Sequence, residues 1–211
     1  MKEIANYYSQ ARENIVTFVP KNIRSILDIG CGRGLFLKLI KEQTRAETWG
    51  IEMVNEVANI AIGNTDKILI GKIEDVYESI PDNYFDCITF NDVLEHLLEP
   101  IDVLIKVKSK LSDNGIVIVS VPNVRYLSNL FGLIIKKDWK YTEYGILDST
   151  HLRFFTEISI KRMFKEAGYQ LILMEGNPLN ISWKFRIFDF FTLGFFRDAK
   201  YFQFTCVAKP I

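Results

Sequence analysis

The chain predicts an α/β fold, a doubly wound and mostly parallel sheet with helices on both faces. Three observations carry that prediction. Strand-like and helix-like segments alternate along the 211 residues, the order that builds parallel strands joined by crossover helices. The apolar run Ser25–Asp28 leads through Gly30-Cys31-Gly32-Arg33-Gly34 straight into a helical stretch that begins at Leu35. A second strand, Thr48–Ile51, closes on an acid, Glu52.

The elements follow in order. Residues 3–18 read as an amphipathic helix that includes Tyr8 and Arg12. Ser25–Asp28 is the first strand and Leu35–Gln43 the helix after it. Thr48–Ile51 is the second strand, Glu56–Ile62 a helix, and Lys67–Ile70 the third strand. Tyr84–Phe90 is the fourth, ending at Asn91-Asp92. Pro100 opens a helix to about Lys110, and Asp113-Asn114-Gly115 turns into the fifth strand, Ile116–Val121. Residues 124–155 fit no simple strand–helix unit. Ser159–Ala167 is helical, with Gly168 as its C-terminal cap. Leu171–Met174 is a strand, and Tyr201–Ala208 alternates as a final one. No repeat, linker or low-complexity tract interrupts them, so residues 1–211 are expected to form a single domain.

Composition narrows the function. The 26 Lys and Arg balance 26 Asp and Glu. That gives no global pull toward nucleic acid or acidic membranes, although a local patch can still supply one. Cys31, Cys87 and Cys206 are far apart and form no C-x-x-C pair, which argues against a zinc knuckle or a disulfide framework. The strand context of Cys87 and Cys206 makes them small core residues. Met1-Lys2-Glu3-Ile4 lacks the form of a signal peptide, and no apolar run nears about 18 residues. A soluble, cytoplasmic protein is expected.

The glycine turn is where ligand chemistry begins. Glycine has no Cβ, so a ligand can lie against the backbone, and the helix start behind it offers N–H groups to a polar ligand end. Asp28, two residues ahead of Gly30, is placed to accept a bond from a ligand ammonium. Glu52, 22 residues after Gly30, is placed to accept both hydroxyls of a ribose, a device shared with NAD enzymes. The spacing is G-x-G-x-G, with Leu35 where a dinucleotide-binding G-x-G-x-x-G needs its last glycine.

Acid, alternate glycines and second acid together resemble the class I S-adenosylmethionine (SAM)-dependent methyltransferases. The resemblance implies a Rossmann-like sheet of seven strands with the last one antiparallel, and a lid insertion after strand 5, about residues 124–155. It implies SAM as the cofactor, held by Asp28, Gly30, Cys31, Gly32, Gly34, Glu52, Met53 and Asn91, with Ile73 and Glu74 on the adenine. Related enzymes often read Gly-Asp-x-Glu in that adenine loop; here Lys72 takes the Asp position. Asp75 reads equally as part of a solvated loop. Relatives also set an N-terminal helix over the SAM carboxylate, which makes Arg12 a candidate. By itself Arg12 reads as a solvated residue of an amphipathic helix.

A second constellation follows the fourth strand, in Asn91-Asp92-Val93-Leu94-Glu95-His96. A helix starting near Asp92 would put Asp92, Glu95 and His96 on one face. The other of the two histidines, His151, lies in Asp148-Ser149-Thr150-His151-Leu152-Arg153-Phe154-Phe155. Two carboxylates and two imidazoles make a candidate divalent-metal site of Asp92, Glu95, His96 and His151. The pattern resembles the metal-dependent small-RNA 2′-O-methyltransferases, which carry Glu-x-x-Glu-His and a later His. It also resembles the ubiquinone-pathway O-methyltransferases. Asp92 replaces the first Glu. Leu-Glu-His also occurs in related methyltransferases without a metal, and that resemblance implies a structural bond for Glu95 and local capping or packing for His96; His151 then reads as a general base, a substrate contact or a hydrogen-bonded structural residue. His151, with His96 and Asp92, is the candidate catalytic set.

Asp-Val-Leu-Glu-His-Leu, Val-Pro-Asn-Val-Arg and Gly-Ile-Leu-Asp-x-Thr-His-Leu-Arg-Phe-Phe-Thr look like the MetW-like, sugar- and polysaccharide-associated bacterial methyltransferases, over about residues 5–175. That resemblance implies methyl transfer to a hydroxyl of a small-molecule or glycan-type acceptor. The alternatives are a metal-dependent RNA 2′-O-methyltransferase-like enzyme, which the neutral charge argues against, and a NAD-dependent oxidoreductase, which the glycine spacing argues against. A non-catalytic SAM-binding protein is the third.

Two apolar stretches remain. Tyr126–Tyr141 carries Leu127, Leu130, Phe131, Leu133, Ile134 and Ile135, then Lys136-Lys137-Asp138-Trp139-Lys140. It reads as an extra core helix with a solvated basic end, or as a lid whose Trp139, Tyr141 and Tyr144 stack on an acceptor. The aromatic-rich C-terminal part, about residues 180–211, includes Trp183, Phe185, Phe188, Phe190, Phe191, Phe195 and Phe196. These are too many for one buried helix stripe. About half pack in the core by default. The excess implies a homodimer interface, an acceptor pocket or membrane-surface contact.

Overall fold

A computed structural model of the chain describes residues 12–178 and 183–211. Tyr8 and the side chains of Trp183 and Phe188 lie outside what is described. Chain order is α1 (Glu13–Val16), β1 (Ser25–Ile29), α2 (Leu35–Thr44), β2 (Glu47–Glu52), α3 (Asn55–Ala61), β3 (Lys67–Ile70), α4 (Ile73–Val76) and β4 (Phe85–Asn91). Then come α5 (Pro100–Val107), β5 (Leu111–Pro122), α6 (Leu127–Ile134), α7 (Glu157–Glu166), β6 (Tyr169–Pro178), α8 (Trp183–Phe191) and β7 (Tyr201–Pro210). Seven strands form one sheet in the order β3-β2-β1-β4-β5-β7-β6. β1 to β5 run parallel, and β7 slots antiparallel between β5 and β6. The expected doubly wound sheet with an antiparallel last strand is present.

Strand order reverses at β1, so the carboxyl ends of β1 and β4 flank the crevice where such sheets bind ligands. β1 is buried at every position, because helices cover both faces. Ile15, Phe36, Leu37 and Ile40 of α1 and α2 pack one face with Ala61 of α3. Ile73, Val103, Leu104, Ile160 and Phe164 of α4, α5 and α7 pack the other. Burying large apolar side chains stabilises by about 1.5–3 kcal/mol each. Cys87 and Cys206 are core residues, as their strand context predicts. α7 opens on a capping box between Thr156 and Ser159 and closes at Gly168, φ +70°, where the sequence placed its cap.

Three expectations change here. Asp92 does not open a helix. It sits at φ +55°, and Leu94–His96 is a single 3-10 turn, so Asp92, Glu95 and His96 share no helical face. The reason is tertiary: Asp92 N–H donates to Ser120 O at 3.1 Å, and its carboxylate is taken by Arg12, Gln203 and Ser120. Arg12 is therefore not a solvated helix residue; it precedes α1 and ion-pairs with Asp92. Nor is α6 a core helix, for none of its residues is buried.

Candidate functional site

The glycine turn folds back on β2. Gly30, Gly32 and Gly34 have φ of +74°, +56° and +73°, a region that disfavours side chains. A Cβ on Gly30 would also lie 2.6 Å from Val93 Cγ2. Gly30 and Cys31 N–H donate to Ile51 O at 2.8 and 3.0 Å. Gly32 N–H donates to Glu52 Oε2 at 3.0 Å, and Val54 N–H to Oε1 at 2.8 Å. Two backbone donors thus fix the buried Glu52 carboxylate against the turn, and each oxygen keeps a further lone pair. Gly34 caps α2 without a side-chain acceptor, which leaves first-turn N–H groups to a ligand. Cys31 differs from expectation. Its side chain points into the core, so close that a Cβ on Gly50 would meet its Sγ at 2.5 Å, and its N–H is already bonded.

Asp28 lies in the buried β1, beside β4. Its Oδ1 accepts from Thr89 Oγ1 at 2.6 Å and Asn91 Nδ2 at 3.0 Å. Burial pushes its carboxyl up to about 7, although both bonds and Arg12 pull the other way. Asp28 thereby orients Asn91, whose Oδ1 is buried without a partner. Thr89 was missed in the sequence. Its signal was a polar residue two positions before Asn91 in a buried strand, hence on the same face. Met53 is exposed beyond β2. Ile73 is turned into the core, which withdraws its side chain from an adenine, whereas Glu74 is exposed. The two line a cleft of about 180 Å³ with Tyr77, Val103 and Lys106.

The second constellation is assembled by backbone bonds. Glu95 O accepts from Leu152 N–H at 2.8 Å and Arg153 N–H at 3.0 Å, and Val124 N–H donates to Phe155 O at 2.9 Å. These bonds strap the His151 block across the carboxyl ends of β4 and β5. Glu95, His96 and His151 converge, with candidate ligand atoms all within 4.8 Å of one another. Asp92 is not part of this group; its carboxylate is consumed by the bonds already described, which corrects the four-ligand set. His151 Nδ1 donates to Ile146 O at 3.0 Å, so Nε2 is the accepting nitrogen, 4.0 Å from Glu95 Oε1. His96 Nδ1 lies 3.3 Å from Thr150 O and 3.2 Å from Thr150 Oγ1. That hydroxyl donates to Asp148 Oδ1 at 2.7 Å, so His96 Nδ1 is the donor there.

Glu95 is fully buried and neither carboxyl oxygen has a hydrogen bond. Burial, then the Asp92 charge, pushes it well above the usual carboxylate range. Burial and His151 lower His96. A carboxyl held in its neutral form by burial makes no ion pair with the His151 ring 4.0 Å away. An orphaned buried carboxyl beside two imidazoles anchored through Nδ1 is the donor set and orientation that suit a divalent cation. An aromatic wall adjoins it: Phe154 meets His151 at 6.3 Å, Trp139 at 5.2 Å and Tyr141 at 6.4 Å between ring centroids.

Comparison with known proteins agrees with this fold. A family model described as a methyltransferase domain matches residues 3–173. The chain belongs to this methyltransferase-domain family, and with its sheet it is a class I SAM-dependent methyltransferase. It is 25% identical over 174 residues to the mitochondrial ubiquinone biosynthesis O-methyltransferase of Schizosaccharomyces pombe, covering 76% of this chain and 61% of that protein. It is 26% identical over 171 residues to the ubiquinone biosynthesis O-methyltransferase of Vibrio atlanticus, covering 76% and 70%. A SAM-dependent methyltransferase from Archaeoglobus fulgidus superposes with a TM-score of 0.70 at 22% identity, over 97% of this chain and 93% of that one.

Proposed function

We propose that the protein transfers the SAM methyl group to a hydroxyl oxygen of a small acceptor held at Glu95, His96 and His151. The observation that carries this reading is the buried Glu95 carboxyl with both oxygens unbonded between two oriented imidazoles. SAM supplies a methyl on a sulfonium, and transfer is an in-line displacement that depends on alignment. Gly30, Gly32, Gly34 and Glu52 are the residues to hold its nucleoside, and Asp28 with Asn91 its ammonium. A hydroxyl is a poor nucleophile until it loses its proton. A bound divalent cation supplies that activation by lowering the hydroxyl pKa; Glu95, His96 and His151 would hold it. Without a cation, His151 Nε2 is the acceptor for the proton.

The relatives named for ubiquinone biosynthesis favour a phenolic hydroxyl. The wall of Trp139, Tyr141 and Phe154 suits the flat face of such a ring. A glycan-type hydroxyl is the second reading. It rests on the His-Leu-Arg-Phe-Phe block, and the same wall can stack on a sugar.

Calorimetric titration of Mn²⁺ into protein saturated with S-adenosylhomocysteine tests the site, with His151→Ala as control. One saturable site in the wild type, lost in the variant at unchanged homocysteine-product affinity, is the expected result. No uptake removes the cation and leaves His151 as the base alone. In both cases His151→Ala should lower turnover on a catechol acceptor by about 100-fold or more. Unchanged turnover overturns the role of His151.

A further inference from the structure

We propose that α6 and α8, with their basic flanks, form a docking face for an anionic phospholipid surface beside the acceptor site. The first observation is exposure. Phe131, Ile134 and Ile135 are 51%, 59% and 63% exposed, and Phe190, Phe191 and Phe195 are 77%, 77% and 70% exposed. α6 has no buried residue at all. So much uncovered apolar area serves no packing within the fold and marks an interaction surface.

The second observation is continuity. Pro122 of β5 lies opposite Gln203 of β7, so α6 leaves the sheet where the chain returns from α8. Arg125, just ahead of α6, is fastened to the segment that follows α8: its Nε is 2.6 Å from Asp198 Oδ2, and its Nη2 donates to Phe195 O at 3.3 Å. Asn123 Nδ2 adds bonds to Asp198 O and Tyr201 O, both 2.9 Å.

The third observation is charge. Among the described side chains of residues 125–144 and 185–200, six Lys or Arg stand against four Asp or Glu, a positive excess on a chain whose net charge is zero. Lys136, Lys137 and Lys140 follow α6 and are all exposed. Exposed aromatics beside lysines suit an anionic interface, where rings enter the headgroup region and cations meet lipid phosphates. A second copy is the poorer occupant, since a two-fold interface would set this positive face against itself. Among the described residues no helix is long and apolar enough to cross a membrane, so the contact is peripheral. Trp139, within the basic stretch, packs on Phe154 next to His151. The face therefore borders the acceptor site.

This inference goes beyond methyl transfer and does not depend on it, because its readout is vesicle binding. The whole chain is floated with phosphatidylcholine vesicles, with and without phosphatidylglycerol, at low and high salt. Two variants are compared: Lys136→Ala/Lys137→Ala/Lys140→Ala and Phe131→Ser/Phe190→Ser/Phe191→Ser. Circular dichroism and S-adenosylhomocysteine binding verify that each is folded. The expected result is salt-sensitive flotation with phosphatidylglycerol, reduced about tenfold or more in the lysine variant and lost in the phenylalanine variant. No flotation, or equal binding to both vesicle types, overturns the proposal. A dimer in light scattering that the phenylalanine variant dissolves, without vesicle binding, assigns the face to a second copy and overturns it too.

Discussion

At the scale of the residue, burial raises two carboxyl groups of the site, Asp28 and Glu95, and this makes ligand binding a proton-linked event. Asp28 shows the sign. Its carboxyl is raised to about 7, so the protonated form is favoured in the folded chain. Its contribution to stability is full below about pH 4 and is lost as the pH rises through about 7. A ligand ammonium brought to Asp28 and Asn91 favours the ionised form and expels the proton. Affinity for S-adenosylhomocysteine should therefore rise between about pH 6 and 8, with calorimetry in two buffers of different ionisation heat reporting proton release. Asp28→Asn should flatten that profile and weaken binding. A flat profile in the wild type would remove the ammonium from Asp28.

At the scale of the element, the strands and sheet helices were legible because the signals are local. Glycine spacing, alternate burial and end residues such as Glu52 and Gly168 act within a few positions. Asp92 was misread because its conformation is set by Gln203, 111 residues away, and by Arg12, neither visible to a helical-face argument. α6 was misread as core because composition shows apolarity but not what covers it. Asp113-Asn114-Gly115, read as the turn before β5, is absorbed inside it: Leu111 pairs with Phe85 and Ile116 with Cys87, so the ladder skips the turn residues. The Glu95–His96–His151 trio was legible as residue types but not as geometry. The straps from Glu95 O to residues 152 and 153 come from backbone, which no side-chain motif encodes. The fastening of the start of α6 to the segment after α8 is also tertiary, and it gives an element-scale prediction. Arg125→Ala removes a charge-assisted pair and a carbonyl bond, worth about 1–3 kcal/mol. Limited proteolysis should then cut residues 183–197 faster than in the wild type; an unchanged digestion rate would mean that other contacts hold the segment.

At the scale of the whole molecule, the two edges of the sheet have separate duties. The carboxyl edge gathers the glycine turn, the Glu95 trio, the aromatic wall and the α6–α8 face. It also holds the orphaned carboxyl oxygens of Glu95, which cost stability until a ligand engages them. The amino edge is satisfied instead. Asp86 accepts from Arg24 N–H at 2.8 Å, from the Arg24 guanidinium at 3.3 and 3.2 Å, and from Ser112 Oγ at 2.8 Å, joining the starts of β1, β4 and β5. Burial works to raise Asp86, but the Arg24 and Ser112 bonds outweigh it and hold the carboxyl below its usual range. A lowered carboxyl stabilises above about pH 4 and loses that contribution in acid. Asp86→Ala should therefore cost about 1–3 kcal/mol at neutral pH through the lost bonds. The penalty should shrink as the pH falls, and the affinity for S-adenosylhomocysteine should stay unchanged. Denaturant titration at neutral and acid pH, with calorimetry on the folded variant, separates the two quantities. A variant that loses product affinity in step with stability would show that the amino edge is coupled to the site through the strands, and the division of labour between the edges would fail.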